Sequence, residues 1–448
     1  MSKTTLTTTP FAADAADERL IRSESITAPL LQALRRLVLE RDRTAVRTIL
    51  ALLLQALRRS VATTVTRLRS GELGVVPVVV GLIVICAVFY SQEPVFLSSR
   101  SLVSLTQFAA PIGFISLGIV LVLLLGEIDL SVGSVSGFTS AILAVLLVDH
   151  GQSLVVAMAA AIGAGAVIGL IYASLHQFVG VPSFVFSLAG LLAFQGALLY
   201  TLGDQGTINL PQDSGLRTFA RDKFLTDTQA YALVGLAVAL YVGSRVLTIR
   251  RRRAAGLTPP PLAGVLVRAV LMLAGLGYAC YYLGIGRGVG YLFASFVITT
   301  ALLDLALRRT SWGRHVFAVG GNEEAARRAG INVRFVYLSV FTLCSTFAAI
   351  GGLMVAGQLT SVSQSSGTTD TNLTAIAAAV IGGTSLFGGR GSAYAALLGM
   401  LVLQSISTGL NLLSVESSVR FMITGGVLLL AVAIDSVSRR ARSSSGRG

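Results

Sequence analysis

Apolar residues run through this chain in long blocks, parted by short polar ones. A helix needs roughly 20 apolar residues to cross ~30 Å of hydrocarbon. By that rule the pattern predicts about twelve spans. They fall near residues 75–90, 102–125, 132–148, 154–178, 184–202, 230–247, 265–283, 290–307, 335–355, 373–383, 393–411 and 419–437. The block at 373–383 is too short for a simple crossing, and others can be re-entrant or broken. Pro111 sits where it can kink the second span. The expected architecture is all-α: a polytopic integral membrane protein with about 10–12 transmembrane helices.

The polar blocks orient these spans. Basic residues concentrate in the N-terminal region, at Arg250–Arg253, across Arg308–Arg334 and at Arg439–Arg447. With alternating crossings all four segments fall on one side, which the positive-inside rule makes the cytoplasm. Both termini are then cytoplasmic, and segments 203–229, 284–289, 356–372 and 412–418 face outward. Residues 1–70 read as a cytoplasmic extension. Its first 25 residues are polar, Thr/Ala-rich and expected to be disordered. LLQALRR follows twice, at Leu30–Arg36 and Leu53–Arg59, as an amphipathic helix on an anionic leaflet or a tolerated extension. No early apolar stretch with a small-residue cleavage site appears, so no cleavable signal peptide is expected. The membrane domain covers 71–440, and 441–448 is a disordered cytoplasmic tail.

Composition narrows the function classes. Charged residues make up 12% of the 448, about half the usual soluble share. The net charge of +14 lies in loops and tails, which argues against nucleic-acid binding. Lys3 and Lys223 are the only lysines and neither sits in G-x-x-x-x-G-K-[ST], so the chain has no Walker A loop to cradle a nucleotide's phosphates. Cys86, Cys280 and Cys344 lie inside apolar runs without metal-ligand spacing, and His150, His176 and His315 are scattered. No catalytic group, cofactor or metal is expected.

Three polar stretches carry the candidate chemistry. In WGRHVFAVGGNEEAARRAGINVR, Trp312–Arg334, Asn322 is a good N-cap. Glu323 and Glu324 occupy the first turn and Arg327 and Arg328 the last, where the helix dipole favours each sign. The same residues form two i,i+4 pairs. Gly330 can adopt the left-handed stop, and Ala325, Ala326 and Ala329 would let another surface approach. Two turns are marginal alone, so this helix is either a docking element or a connector on the membrane surface. The second stretch, GEIDLSVGSVSG at Gly126–Gly137, sets Glu127 and Asp129 between two apolar runs. A carboxylate at membrane depth usually faces a cavity or a partner; Asp129 or Ser131 can also cap a helix starting near Val132. The third, GGTSLFGGRGS at Gly382–Ser392, interrupts another apolar run with Gly383, Thr384, Ser385, Gly388, Gly389 and Arg390. Paired breaks in opposite halves point to a translocation site between two repeats, and a tight turn is the alternative for each.

Together these stretches resemble the permease subunits of bacterial ABC importers for monosaccharides, of the ribose/xylose/galactoside type, over roughly residues 70–440. The resemblance rests on I-D-L-S-V-G-S at Ile128–Ser134, on G-G-T-S-x-x-G-G-x-G-S within Ala378–Ser392, and on G-x-x-x-x-A-x-G-G-N-x-x-A-A-x-x-x-G-I at Gly313–Ile331. The long insert around 203–290, with an extra pair of spans, is more similar to xylose-type permeases. Glu127 departs from the commoner G-G-I-D-L-S pattern. The resemblance implies a bacterial plasma-membrane location and a non-catalytic subunit, usually a homodimer, embedded in lipid. It also implies a separate cytoplasmic ATP-binding subunit and an extracytoplasmic sugar-binding protein. Residues 312–334 become a coupling loop, with Gly321, Asn322, Glu323, Ala325, Ala326, Gly330 and Ile331 docking the ATPase. Glu127, Asp129, Ser131, Ser134, Gly383, Thr384, Ser385, Gly388 and Gly389 become candidates for the sugar path, since a neutral sugar needs hydrogen-bonding groups. The rival reading is an ion-coupled secondary transporter of a small polar solute. It would want titratable groups deep in the membrane, whereas Asp304 and Asp435 each have an arginine four residues on, Arg308 and Arg439.

Overall fold

The computed structural model describes residues 76–258 and 262–423, with 425, 426, 429 and 433. The N-terminal extension, its LLQALRR repeats, Asp435 and the C-terminal tail lie outside the described residues. Almost everything described is helical. The helices are α1 (Val76–Gln92), α2 (Ser99–Leu125), α3 (Val132–Ala144), α4 (Leu154–Ser174), α5 (Ser183–Leu202), α6 (Asp227–Ala254) and α7 (Leu262–Gly284). They continue with α8 (Tyr291–Arg309), α9 (Ser311–Gly321), α10 (Glu323–Arg328), α11 (Val333–Leu359), α12 (Thr369–Ile381) and α13 (Tyr394–Leu412). The chain divides into two compact units. Asp227–Tyr281, covering α6 and most of α7, belongs to one, and the described residues before and after it form the other.

Among the described residues nine helices are long and apolar enough to cross a membrane. They match nine of the apolar blocks. Two more blocks form shorter helices, Val76–Gln92 and Asp370–Ile381. The latter is the stretch already too short for a simple span. The last block, 419–437, falls largely outside the described residues. In the first unit, α6 carries Asp227 in its first turn and Arg251, Arg252 and Arg253 in its last, complementing the helix dipole.

The larger unit is organised around α2, which runs as one helix through Pro111 and is buried along almost its whole length. It is apolar on every side, as a helix surrounded by protein must be. Helix α11 packs along α2, α4 and α3, α5 lies on α3, and α12 and α13 pair with each other and against α2. Small residues permit these approaches. A Cβ on Gly118 of α2 would lie 2.7 Å from the Cys344 carbonyl oxygen on α11. Without a water-driven hydrophobic effect between lipid-embedded helices, such backbone proximity is what gives the packing its dispersion energy.

Two short strands link the segments expected to face outward. Thr207–Asn209 pairs antiparallel with Ser361–Ser363, with Ile208 opposite Val362. The second strand begins just past α11, where Thr360 takes φ +60, an unusual left-handed turn for a residue with a branched Cβ. Between α11 and α12 the chain breaks at Thr360–Thr368, within the segment 356–372 that the apolar pattern leaves between two spans.

Candidate functional site

The three polar stretches form a common local device before they form a site. Each contains a helix closed by a Schellman motif, in which a left-handed glycine lets two following N–H groups reach back to otherwise unpaired carbonyls. At the end of α2, Gly126 has φ +84; its N–H donates to the Leu123 carbonyl (2.9 Å) and that of Glu127 to Val122 (3.2 Å). At the end of α10, Gly330 has φ +80, with Gly330 N–H to Arg327 (3.0 Å) and Ile331 N–H to Ala326 (3.1 Å). At the end of α12, Gly383 has φ +103, with Gly383 N–H to Val380 (2.9 Å) and Thr384 N–H to Ala379 (3.0 Å).

Helix α10 is built as its sequence specifies. Asn322 Oδ1 accepts from the Ala325 N–H at 2.8 Å. Arg327 pairs with Glu323 at 2.6 Å and Arg328 with Glu324 at 3.1 Å. The structure divides its small residues by face. Ala326 is 4% exposed and anchors the helix to the core, and Ile331 packs on that core half-buried. Glu324, Ala325, Arg327, Arg328, Ala329 and Gly330 are exposed, as are Gly321 and Asn322.

All three stretches meet where α2 ends. The Gly389 N–H donates to the Leu124 carbonyl at 2.9 Å. A Cβ on Gly320, at the end of α9, would run into that same carbonyl oxygen and lie 2.9 Å from the Gly389 nitrogen. One on Gly388 would strike the Gly320 carbonyl oxygen and lie 2.9 Å from the Gly126 nitrogen. Gly388 and Gly389 themselves have φ +80 and +68. Backbone thus crosses backbone at a junction of three segments. The turn between them is closed by Ser385, whose N–H donates to the Arg390 carbonyl (3.0 Å) and whose Oγ accepts from Phe387 N–H (3.2 Å). Thr384 is 1% exposed and its Oγ1 has no hydrogen-bond partner.

Beyond this junction the chain re-enters the protein. Asp129 is 1% exposed. Its Oδ1 accepts from both the backbone N–H (2.8 Å) and the hydroxyl (2.7 Å) of Ser131, and Cys344 Sγ lies 3.8 Å from Oδ2. Asp129 thus forms the turn that starts α3 at Val132, the structural role open to it in the sequence. Ser131 stands at the N-cap position without making a capping bond. The cap comes from another helix: Asn372 of α12 accepts from the Gly133 N–H through Oδ1. Gly133 and Gly137 also sit directly against the backbone of Ser366 and Gly367. Ser134 is 3% exposed beside them. The partner of the first interruption at this depth is therefore the break after α11, while Gly382–Ser392 meets only its entrance. Asn372 was not singled out by sequence reasoning, although SVSQSSGTTDTN at 361–372 carries the same Gly/Ser signal as the two recognised breaks. Its Nδ2, buried with the residue at 2% exposure, has no partner.

Glu127 is held from two other helices. Tyr337 of α11 places its hydroxyl 3.4 Å from Glu127 Oε1 and 3.3 Å from Glu323 Oε2. His176 Nε2 lies 3.7 Å from Glu127 Oε1. His176 Nδ1 is 3.0 Å from the Val181 carbonyl, which can only accept, so Nδ1 carries a proton and Nε2 has one for Glu127 only as imidazolium. The His176 ring packs on Tyr337 at 4.7 Å between centroids. A scattered histidine and a tyrosine in an apolar run give no sequence signal for this contact. Asp304 pairs with Arg308 at 2.7 Å, the i,i+4 contact its spacing predicts.

The comparisons with known proteins agree with this layout. The family model described as "Branched-chain amino acid transport system / permease component" matches residues 101–432. The "Xylose transport system permease protein XylH" of Haemophilus influenzae is 33% identical over 375 residues, 84% of this chain and 99% of that protein. Its Escherichia coli counterpart is 32% identical, covering 83% of this chain and 94% of the relative. The "Ribose import permease protein RbsC" of Escherichia coli is 30% identical over 80% of this chain and 92% of the relative. No solved structure matches. With its polytopic helical fold and all three motif stretches inside or alongside the matched residues, the chain belongs to this transport-system permease family.

Proposed function

We propose that this permease is the membrane path of an ATP-driven importer for a neutral monosaccharide, a xylose-like pentose in the first instance. Support for the sugar comes from the relatives, named for xylose and ribose transport. The observation that carries the mechanism is the junction of Leu124, Gly320 and Gly388 beside a capped, largely exposed two-turn helix. Helix α10 is the coupling helix. Asn322, Glu323, Ala325 and Gly330, with Gly321, present its docking surface, while Ala326 and Ile331 hold it to the permease. A separate cytoplasmic ATPase moves this lever, and the junction passes the movement to the end of α2 and the loop after α12. An extracytoplasmic binding protein delivers the sugar to a lipid-embedded permease dimer.

A pentose offers hydroxyls that donate and accept, so its path requires polar groups without fixed positive charge. Ser131, Ser134, Thr384 and Ser385 qualify, with Glu127 and Asp129 as acceptors at the inner mouth. Two buried groups lacking partners, Thr384 Oγ1 and Asn372 Nδ2, are the kind that a passing hydroxyl would satisfy. The pairing of strands from 203–229 and 356–372 supports their lying on one side of the membrane, opposite α10, with both termini cytoplasmic. The test is Glu323→Arg combined with Gly330→Pro in the complex of permease, ATPase and binding protein. Sugar-stimulated ATP hydrolysis should disappear while membrane insertion persists. Normal coupled uptake by that variant would refute the docking role.

A further inference from the structure

The Tyr337 hydroxyl has one proton and two carboxylate neighbours, at 3.3 Å on Glu323 and 3.4 Å on Glu127. A phenol-to-carboxylate bond is ordinarily shorter than either, about 2.5–2.7 Å. The hydroxyl is therefore poised between two acceptors and fully bonded to neither. Its position is fixed from behind. Tyr337 stacks on Phe341 at 6.4 Å and packs at a tilt on His176 at 4.7 Å, and Phe341 meets Phe186 at 5.5 Å. The two carboxylates are fixed to different bodies. Glu323 is tied within α10 by Arg327. Glu127 follows directly on the glycine stop of α2 that is wedged against the 387–389 loop.

We infer that Tyr337 is a positioning residue that reads the place of α10 and reports it to the inner mouth of the path, by switching its single O–H hydrogen bond between Glu323 and Glu127. When α10 moves by a few tenths of an ångström toward Tyr337, its bond to Glu323 shortens and Glu127 is released. When α10 withdraws, Tyr337 bonds Glu127 and holds the α2 turn. No covalent step is involved and no net charge moves. The other titratable groups at the cluster are His176, facing Glu127 from the turn just past α4, and Arg327, facing Glu323 on α10. Neither bridges the two carboxylates, so among the described residues the hydroxyl is the one group in contact with both sides.

This inference rests on α10 being the coupling helix, and the experiment separates the two. In the full complex reconstituted in liposomes, Tyr337→Phe removes the hydroxyl and keeps the stacked ring. The kcat of sugar-stimulated ATP hydrolysis should fall about tenfold, the scale of one charge-assisted hydrogen bond. The KM for ATP and the amount of ATPase subunit co-purified should stay unchanged. Glu127→Gln should give a similar loss, and the double variant should be no worse than either single one. Losses that multiply, or Tyr337→Phe coupling like wild type, would overturn the inference. If Tyr337→Phe couples normally while Glu323→Arg with Gly330→Pro does not, only the relay falls. If both couple normally, the docking role falls with it.

Discussion

Gly320 and Gly321 are neighbours in the same motif, yet the structure demands opposite outcomes from the same substitution. A Cβ on Gly320 would collide with the Leu124 carbonyl oxygen and lie 2.8 Å from its carbon, whereas one on Gly321 meets nothing within 4 Å. The atoms in the way at Gly320 are backbone, so no rotamer change can relieve the contact. Overpacking of this kind costs about 1–3 kcal/mol. Displacing Leu124 also strains the hydrogen bond it accepts from Gly389, worth about 1 kcal/mol. Gly320→Ala should therefore destabilise the permease by about 2–4 kcal/mol. Gly321→Ala, on the open side of α9 near its end, should be neutral or gain up to about 1 kcal/mol from helix propensity. The assay is the rate at which purified permease loses its folded, monodisperse form in detergent at a fixed temperature, which is a kinetic stability. To the extent that the strain is released before the unfolding barrier, 2 kcal/mol corresponds to a rate roughly 30-fold faster for Gly320→Ala. Equal decay rates for the two variants would refute the claim that α9 is clamped to the end of α2 by backbone contact.

The remaining predictions concern the start of α3. Asn372→Ala should cost about 1–2 kcal/mol in the same decay assay, the loss of an N-cap, because Asn372 rather than Ser131 caps this helix; a loss below 0.3 kcal/mol would show that the cap lies elsewhere, on the scale by which a well-tolerated cap change is judged, roughly a few tenths. Asp129→Ala should cost about 2–4 kcal/mol by leaving the buried Ser131 N–H and hydroxyl without an acceptor. Asp129→Asn, which keeps an oxygen there, should recover more than half of that stability, and failure to do so would assign the requirement to charge.

The nine helices that are long and apolar enough to cross a membrane, among the described residues, were legible because a hydrocarbon core demands long apolar runs, and the sequence supplies them with polar breaks between. Helix α10 was legible for a different reason: its cap, ion pairs and stop are all local, within Asn322–Gly330. What escaped were contacts set by tertiary packing. The trans cap from Asn372, 239 residues beyond Gly133, has no local signature. Glu127 could be noticed as a departure, but its partners His176 and Tyr337 lie on separate helices and look like ordinary residues of apolar runs. The pairing of the breaks was read only in part. Length and glycine content marked Gly126–Gly137 and Gly382–Ser392, but the segment opposite Gly133 and Gly137 is 366–372, which the sequence reads as an outward loop with no local mark of its contact with α3.

The motif glycines and the motif polar residues answer different demands. Gly126, Gly330 and Gly383 are needed for their positive φ, and Gly320 and Gly388 for the absence of a side chain against backbone. Those demands are set by the backbone and do not depend on which solute is carried. Discrimination has to come from groups the junction leaves free. Ser385 is consumed by its own turn and Asp129 by Ser131. Asn372 and Thr384 retain a buried, unbonded polar atom each. A buried unpaired donor costs about 1–3 kcal/mol until something satisfies it, so on the proposed path each of these two atoms would favour a solute able to bond it. Hydroxyl-rich solutes meet that demand and branched apolar side chains do not. That proposal agrees with the relatives named for xylose and ribose transport rather than with the amino acid transport named in the family description.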